Sequence, residues 1–210
     1  YLAIANQGYY NKLCFINKIL DENNNIIYQH ENYSTKVANE DSCFLLTDIL
    51  KDTSTKGTAK KLSSLNIPVA SKTGTASNNI GNTDLYNISY TTEHSMLTWV
   101  ADIDKNVLPS ILLSSSQPTN INKNILSYLH ANHAPADFIK PENIEKYAYD
   151  LAELDSSHTL VSPNHNVERY IAYDYFKTEN APQTKSNDDF DFENDIFLPL
   201  IKIYAHHINL

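Results

Sequence analysis

The stretch from Pro68 to Ala76 constrains this chain more than any other, because it combines a strand-like composition with unusual polar side chains. Val69 and Ala70 lead into the pentapeptide Ser71-Lys72-Thr73-Gly74-Thr75, and an Asn-rich loop follows at 77–82. Small and β-branched residues of this kind favour a short β-strand. A glycine inside a strand leaves the backbone bare, so that another chain can approach it closely. We therefore predict a strand that presents a lysine and hydroxyl groups to a second polypeptide segment.

The segments around this strand predict an α+β fold, in which helices cover an antiparallel sheet. Hydrophobic periodicity and turn residues indicate eight elements before residue 131. They are a helix tail at 1–6 with Gly8 at its end, a hairpin of 13–20 and 26–29, a helix that opens at Asn39, a short helix that begins at Thr58, the strand with Lys72, two strands at 84–91 and 94–103, and a helix at 118–130.

Two helices carry apolar stripes that we expect to be buried. Asn39 is a suitable N-cap for the first, and Glu40 and Asp41 favour its positive end. The expected stripes are Phe44, Leu45, Ile49 and Leu50 on the first helix, and Ile121, Ile125, Leu126 and Leu129 on the second.

The composition changes after Pro135, which predicts three regions. Residues 1–136 form the sheet-and-helix region, 137–180 form a small β-rich extension, and 181–210 form an acidic linker with a C-terminal helix at 196–210. Strand candidates in the extension alternate apolar and polar residues at 147–151, 160–161 and 170–176.

Composition excludes some partners. Apolar residues make up 41% of the 210 residues, which is enough for a core, and the formal charge of −9 argues against nucleic acid as a partner. No apolar run approaches the ~20 residues of a membrane helix. Cys14 and Cys43 are the only cysteines, and we expect two buried free thiols.

In this setting the order of several motifs resembles the C-terminal half of the transpeptidase domain of class A (bifunctional) penicillin-binding proteins. Tyr1 to Tyr9 is similar to a helix end of that family, Ile19 to Asp21 to its hairpin, and Gly57-Thr58-Ala59 to a helix start about 15 residues before the central motif. Ser71 to Thr75 matches the family's Lys-Thr-Gly-Thr strand. Further similarities are Asp84, Tyr86, Tyr90 and Trp99-Val100 in the next two strands, and Phe138 to Asn143 in the extension.

The sequence also departs from this family. In this family an aromatic pair usually follows the aspartate that corresponds to Asp84, but Leu85-Tyr86 stands there in this chain. The glycines expected near Ser89 and Ala101 are absent as well. The chain is therefore a divergent member, and we expect different packing along these two strands.

The resemblance implies a role for each residue of the central motif. Lys72 and Thr75 are the expected catalytic residues, and Thr73, Gly74 and Thr75 the expected substrate-binding residues. The Lys72 ammonium would lie near a substrate carboxylate, which the two threonine hydroxyls would bind. Gly74 would let a peptide lie along the strand. The backbone N–H of Thr75 would donate to the oxyanion.

The nucleophile of this family stands in a Ser-x-x-Lys motif, which the sequence lacks. Three Ser-x-Asn sequences, at 64–66, 77–79 and 162–164, do not fit the family order. We expect the nucleophile upstream of Tyr1, and this chain alone to be inert towards penicillin. If the helices that carry the nucleophile are also upstream, one face of the sheet should be uncovered or paired with a partner.

The resemblance implies a peptidoglycan D,D-transpeptidase that cross-links D-Ala-D-Ala stem peptides through an acyl-serine and reacts with β-lactams. The implied location is extracytoplasmic, with a membrane anchor only upstream of this chain. A non-catalytic peptide- or partner-binding module derived from the same fold is the alternative, and both agree with the missing nucleophile. A β-lactamase-like hydrolase is a third possibility, which the extension after Pro135 disfavours.

No cofactor is expected, and no metal. His130 and His133 flank one helix end, and His206 and His207 are adjacent, but the sequence shows no third ligand at a suitable spacing. Asp84 is expected to brace the loop after the motif, and Trp99 to pack in the core or across strands.

Overall fold

The computed structural model describes residues 1–104, 106–109, 114–151, 160–162 and 171–184. The chain forms two compact units, 1–141 and 142–210. No helix in the described ranges has the length and apolar character needed to cross a bilayer.

The first unit is built around a three-stranded antiparallel sheet. Its strands are β5 (Ala70–Ser77), β6 (Asn82–Tyr90) and β7 (Ser95–Ala101), in the order β5-β6-β7. These are the three strands predicted from the sequence, with ends that differ by a few residues. Lys72 pairs with Ile88, and Ile88 pairs with Leu97, so the sheet has a regular register across all three strands.

Two short hairpin-like sheets precede it. β1 (Tyr9–Asn11) pairs with β4 (Ser34–Lys36), and β2 (Lys18–Leu20) pairs with β3 (Ile26–Gln29), both antiparallel. The predicted hairpin around 21–25 is therefore confirmed, although its first strand begins five residues later than expected. The Asp21 carboxylate holds the turn by accepting hydrogen bonds from the backbone N–H groups of Asn23 and Asn25.

Helices cover both faces of the main sheet. They are α1 (Leu2–Ala5), α2 (Glu40–Thr55), a 3₁₀ helix (Lys60–Leu65) and α3 (Ser116–Leu129). The side chain of Asn39 caps α2 by accepting from the Asp41 N–H at 2.9 Å, as its position predicts. On one face, Leu126 of α3 packs with Val69 and Leu62, and on the other Leu50 of α2 packs with Ala70 and Tyr90.

Glycine is required at one turn of this unit. Gly8 follows α1 with a φ of +92°, and a Cβ there would lie 2.1 Å from the carbonyl oxygen of Ala38. Any other residue would combine a strained backbone with a steric clash. The prediction that Gly8 ends the first helix is confirmed.

The predicted apolar stripes are wrong in part. Leu50 and Leu126 are buried, but Ile49, Ile121, Ile125 and Leu129 are exposed. The residues of α2 that are buried include Cys43, Thr47 and Ser54, and those of α3 include Thr119 and Asn122. The surface that α3 faces is mixed: Leu126 makes apolar contacts there, and Asn122 hydrogen-bonds Asn87 and Thr98 of the sheet.

The second unit contains the predicted β extension. β8 (Ile144–Asp150) pairs antiparallel with β10 (Ile171–Lys177), and β9 (Val161–Ser162) pairs parallel with β11 (Gln183–Thr184). A 3₁₀ turn (Thr178–Asn180) follows β10. The predicted helix at 196–210 lies outside the described residues, as does most of the predicted acidic linker.

Both cysteines are free, as expected. Cys43 is buried in α2, and burial raises the pKa of its thiol above the ordinary value. Cys14 is only partly buried, so the expectation of two buried thiols holds for one of them.

Candidate active-site strand

β5 is an edge strand. It pairs with β6 and with no other strand in the described parts of the chain. Side chains alternate along it, so that Lys72 and Gly74 point to one face while Thr73 and Thr75 point to the other. Lys72 and Thr75 are exposed, Gly74 is half-buried and Thr73 is buried. The sequence-predicted site residues are thus consecutive along one sheet edge, two on each face.

The Lys72 ammonium lies against its own strand. Its Nζ donates to the backbone carbonyl of Thr73 at 2.6 Å. Lys72 has no acidic partner among its described contacts, so the ammonium keeps donors free for an anionic group. The long side chain is exposed, and it can leave the carbonyl for a stronger, charged acceptor.

The Thr73 hydroxyl has a partner inside the fold. Its Oγ1 lies 2.7 Å from the Oγ1 of Thr58, in the segment just before the 3₁₀ helix. This hydrogen bond ties β5 to the Gly57-Thr58-Ala59 turn. The role of Thr58 was not foreseen, because no local pattern shows which hydroxyl a residue 15 positions away will meet.

Gly74 faces an aromatic pair. A Cβ at Gly74 would lie 3.4 Å from the Cβ of Tyr86, its partner on β6. The Tyr86 ring stacks on Trp99 of β7 with 6.0 Å between ring centroids and an interplanar angle of 3°. Trp99 is 61% exposed, so it packs across strands, as one of the two expected roles requires, and is not a core residue.

Asp84 holds this aromatic pair in place. One of its carboxylate oxygens accepts from the Trp99 indole N–H at 2.9 Å, and the other accepts from the Thr83 hydroxyl at 2.8 Å. Partial burial, then the negative charge of Asp84, raise the pKa of the Tyr86 hydroxyl above its ordinary value. Asp84 therefore braces the Tyr86–Trp99 pair, with Trp99 as its main partner, whereas the sequence led us to expect that it would brace the loop after the motif.

A buried polar network lies on the opposite face, behind the strand. The Ser71 hydroxyl donates to the Ile88 carbonyl at 2.9 Å, and the Asn87 amide donates to Ser71 Oγ at 2.9 Å. Asn122 of α3 donates to the Asn87 carbonyl at 3.0 Å and accepts from Thr98 at 2.6 Å. Ser71, Asn87 and Asn122 are fully buried. The network links the three strands to one another and to α3, so it holds the edge strand β5 in place from the face opposite Gly74.

Comparison with known proteins shows which family has this strand and this fold. The family model described as the penicillin binding protein transpeptidase domain matches residues 1–127, which is more than half of the chain. The chain belongs to the family of penicillin-binding protein transpeptidase domains.

The curated relatives are penicillin-binding proteins 1A. The protein of Clostridium perfringens is 26% identical over 187 residues, which cover 88% of this chain and 22% of that protein. The protein of Streptococcus pneumoniae is 24% identical over 175 residues, covering 78% of this chain and 24% of that protein. The chain thus spans about a quarter of the length of these relatives.

Solved structures agree on the fold. Penicillin-binding protein 1A from Haemophilus influenzae superimposes with a TM-score of 0.69 at 14% identity, over 88% of this chain and 32% of that one. The penicillin-binding protein PonA1 from Mycobacterium tuberculosis gives a TM-score of 0.58 at 19% identity, over 67% of this chain and 39% of that one. The predicted α+β transpeptidase-type fold is confirmed.

Proposed function

We propose that this chain supplies the strand side of the acyl-transfer site of a peptidoglycan D,D-transpeptidase. The observation that carries the proposal is the open edge of β5, on which an exposed Lys72 stands beside the bare backbone of Gly74. A stem peptide that ends in D-Ala-D-Ala would add to this edge as an extra strand. The Lys72 ammonium would then pair with the terminal carboxylate.

The orientation of the β5 backbone supports this geometry. The N–H and C=O of one residue point to the same side of an antiparallel strand, and residues two apart repeat that direction. The Thr73 carbonyl takes its hydrogen bond from the Lys72 ammonium, which fits a carbonyl that faces the open edge. Thr75 would then direct its N–H to the same edge, where it would donate to the oxyanion of the tetrahedral intermediate.

The space around Gly74 supports the proposal as well. The nearest contact of an added Cβ would be 3.4 Å, a close but tolerable distance, so the chain's own packing gives little reason for glycine at this position. A bare backbone does matter to a ligand that lies on the strand, because a side chain would hold it away.

On the face of the sheet that carries Lys72, α2 covers the part around Ala70 and Tyr90 and leaves the rest exposed. Leu97 and Trp99 lie on this face and are each 61% exposed. Exposed apolar groups that adjoin a polar site mark a surface on which another segment packs. We propose that the upstream part of the same protein packs here and carries the Ser-x-x-Lys nucleophile, in keeping with the quarter of its relatives' length that this chain spans.

β-Lactams are the proposed inhibitors, and the proposed location is extracytoplasmic, with an upstream membrane anchor. One solved neighbour, PonA1, is described as a complex with penicillin V. In this chain, the Lys72 ammonium and the exposed Thr75 hydroxyl would bind the β-lactam carboxylate, and the Thr75 N–H would bind the carbonyl oxygen of the acyl group. The Thr73 hydroxyl, which is buried against Thr58, would hold the strand in place.

Labelling with a fluorescent penicillin tests the proposal. The full-length protein that contains this chain should label, and the 210-residue chain alone should not. Lys72→Ala in the full-length protein should slow labelling by about 10- to 100-fold, since a hydrogen bond to a charged group contributes about 1.5–3 kcal/mol. Lys61→Ala, which removes an exposed lysine from the 3₁₀ helix, is the matched control and should label normally.

Equal labelling rates for the Lys72→Ala and Lys61→Ala proteins would refute the assigned role of Lys72. Labelling of the isolated chain would refute the upstream nucleophile.

A further inference from the structure

The turn between β6 and β7 brings a glutamate and a histidine against the C-terminal end of α3. Glu93 and His94 lie in the turn, and His130 is the C-cap residue of α3. One potential ligand atom from each of the three residues lies within 4.8 Å of the other two. The sequence separates His130 from Glu93 and His94 by 36 residues or more, so this group of three is visible only in the fold.

We propose that Glu93, His94 and His130 bind a divalent transition-metal ion of the Zn²⁺ type, with His133 or water as the fourth ligand. Two imidazoles and a carboxylate form a ligand set that suits Zn²⁺ and disfavours Mg²⁺. Tetrahedral zinc with bonds of about 2.0–2.1 Å places its ligand atoms roughly 3.3 Å apart. Because the present separations are at most 4.8 Å, a closure of up to about 1.5 Å would complete the site. Rotation of the exposed Glu93 side chain and of the half-buried His94 side chain can supply it.

The turn holds its two ligands in a fixed backbone conformation. The Thr91 hydroxyl accepts from the N–H groups of Glu93 and His94 at 3.2 and 3.1 Å, and the Thr91 N–H donates to the His94 carbonyl at 2.8 Å. A preorganised turn lowers the entropy cost of binding an ion.

His130 faces Glu93 with one of its two ring nitrogens. Its side chain is only 3% exposed, and its Nδ1 lies 3.9 Å from a Glu93 carboxylate oxygen and 3.3 Å from the His133 carbonyl oxygen. The other nitrogen, Nε2, lies 3.3 Å from the Thr91 hydroxyl oxygen, which can accept a ring N–H. With the ring proton on Nε2, Nδ1 would be the ligand atom, and a bound ion would take the place of its contact with the His133 carbonyl. Metal-bound histidines usually donate their other ring N–H to an outer-shell acceptor in this way.

The electrostatic setting favours a cation. Glu93 contributes a negative charge, and α3 has no basic residue in its last turn to match the partial negative charge of its carbonyl end. His133 is close enough to join the site, because its Nε2 lies 2.9 Å from a Glu93 carboxylate oxygen. Its side chain is 71% exposed. It can turn towards an ion without disturbing the core.

Bound metal would lock the β6–β7 turn to the end of α3. The site lies beyond the end of β5 at which Ala70 pairs with Tyr90, and it uses none of the residues assigned to acyl transfer. The proposal is therefore independent of the proposed transpeptidase function.

Isothermal titration of the 210-residue chain with ZnCl₂, in a buffer that does not chelate metal, tests the site. One equivalent of Zn²⁺ should bind saturably, MgCl₂ should not bind, and Zn²⁺ should raise the melting temperature. Loss of an outer-shell partner alone typically costs about 10–100-fold in affinity, so His94→Ala/His130→Ala should weaken binding by about 100-fold or more.

Two further variants keep the test decisive. His206→Ala/His207→Ala removes the same number of imidazoles elsewhere in the sequence and should bind Zn²⁺ as the parent chain does. Glu93→Gln keeps the size of the side chain, which is 37% exposed, and removes its charge. It should weaken binding with a change of no more than a few degrees in the metal-free melting temperature.

The proposal is overturned if the chain does not bind Zn²⁺ saturably, or if it binds Mg²⁺ as well as Zn²⁺. It is also overturned if His94→Ala/His130→Ala or Glu93→Gln binds Zn²⁺ as tightly as the parent chain, or if His206→Ala/His207→Ala is the variant that loses binding.

Discussion

Single residues in this chain acquire properties that their type alone would not give, and Tyr149 in the second unit is the clearest case. Partial burial, assisted by a 2.7 Å hydrogen bond from its hydroxyl to the Asp174 carboxylate, raises its pKa from 10.0 to about 12. Tyr149 and Asp174 stand on neighbouring strands, β8 and β10, so ionisation of the phenol would place two negative charges side by side in this pair.

This shift predicts alkaline sensitivity of the β8–β10 pair. Because the folded-state pKa is raised, the contribution of Tyr149 to stability is complete below pH 10.0 and is lost as the pH rises towards about 12. Tyr149→Phe should therefore lose less stability over this range than the parent chain. The measurement is the denaturation midpoint at a series of pH values, followed by circular dichroism.

Tyr173→Phe is the control for that experiment, since Tyr173 stands on β10 and is exposed. It should reproduce the parent chain's alkaline profile. If Tyr149→Phe also reproduces that profile, the hydroxyl of Tyr149 does not control the stability of the strand pair.

The residues of the central strand were predictable from the sequence for a physical reason. Lys72, Thr73, Gly74 and Thr75 are consecutive, so a strand assignment alone fixes which of them share a face. Their assigned roles in substrate binding and catalysis stay predictions until a ligand complex is measured. Thr58 and the group of Glu93, His94 and His130 were beyond sequence reasoning, because each depends on contacts between distant segments.

At the level of helices and strands, the junction of α3 with the sheet is held by polar groups. Asn122 donates through its amide to the carbonyl and side-chain oxygens of Asn87 and accepts from Thr98. All of these contacts are inside the fold, where an unpaired polar group costs about 1–3 kcal/mol. The sequence predicted α3 correctly but not its buried face, since Asn122 resembles a surface residue until its partners are known.

We expect Asn122→Leu to lower the free energy of unfolding by about 2–4 kcal/mol, because it removes the acceptor of the Thr98 hydroxyl and the amide donor to the Asn87 oxygens inside the fold. Asn124→Leu on the same helix is the matched control, and a change within about 0.5 kcal/mol is expected at this exposed site. Urea denaturation measures both. A neutral or stabilising Asn122→Leu would show that apolar packing, and not the network, sets the position of α3.

For the whole molecule, family membership and the open sheet edge fit together. The chain matches the transpeptidase family over residues 1–127, and β5 presents its free edge next to an uncovered face that carries Leu97 and Trp99. Covering helices, the buried network and the Asp84–Trp99 contact hold the sheet, while the outer edge of β5 pairs with no other described strand. This arrangement fits the proposal that β5 forms one wall of a site whose opposite wall lies on another segment.

The central claim is that the edge of β5 at Lys72 to Thr75 binds the acyl and carboxylate ends of the substrate. The most direct measurement is a crystal structure of the full-length protein acylated by penicillin. The acyl carbonyl oxygen should lie about 2.7–3.1 Å from the backbone nitrogen of Thr75, the distance of an oxyanion donor, with the β-lactam carboxylate on the Lys72 side of the strand. An acyl group bound away from β5, or a β5 edge paired with another strand of the protein, would contradict the claim.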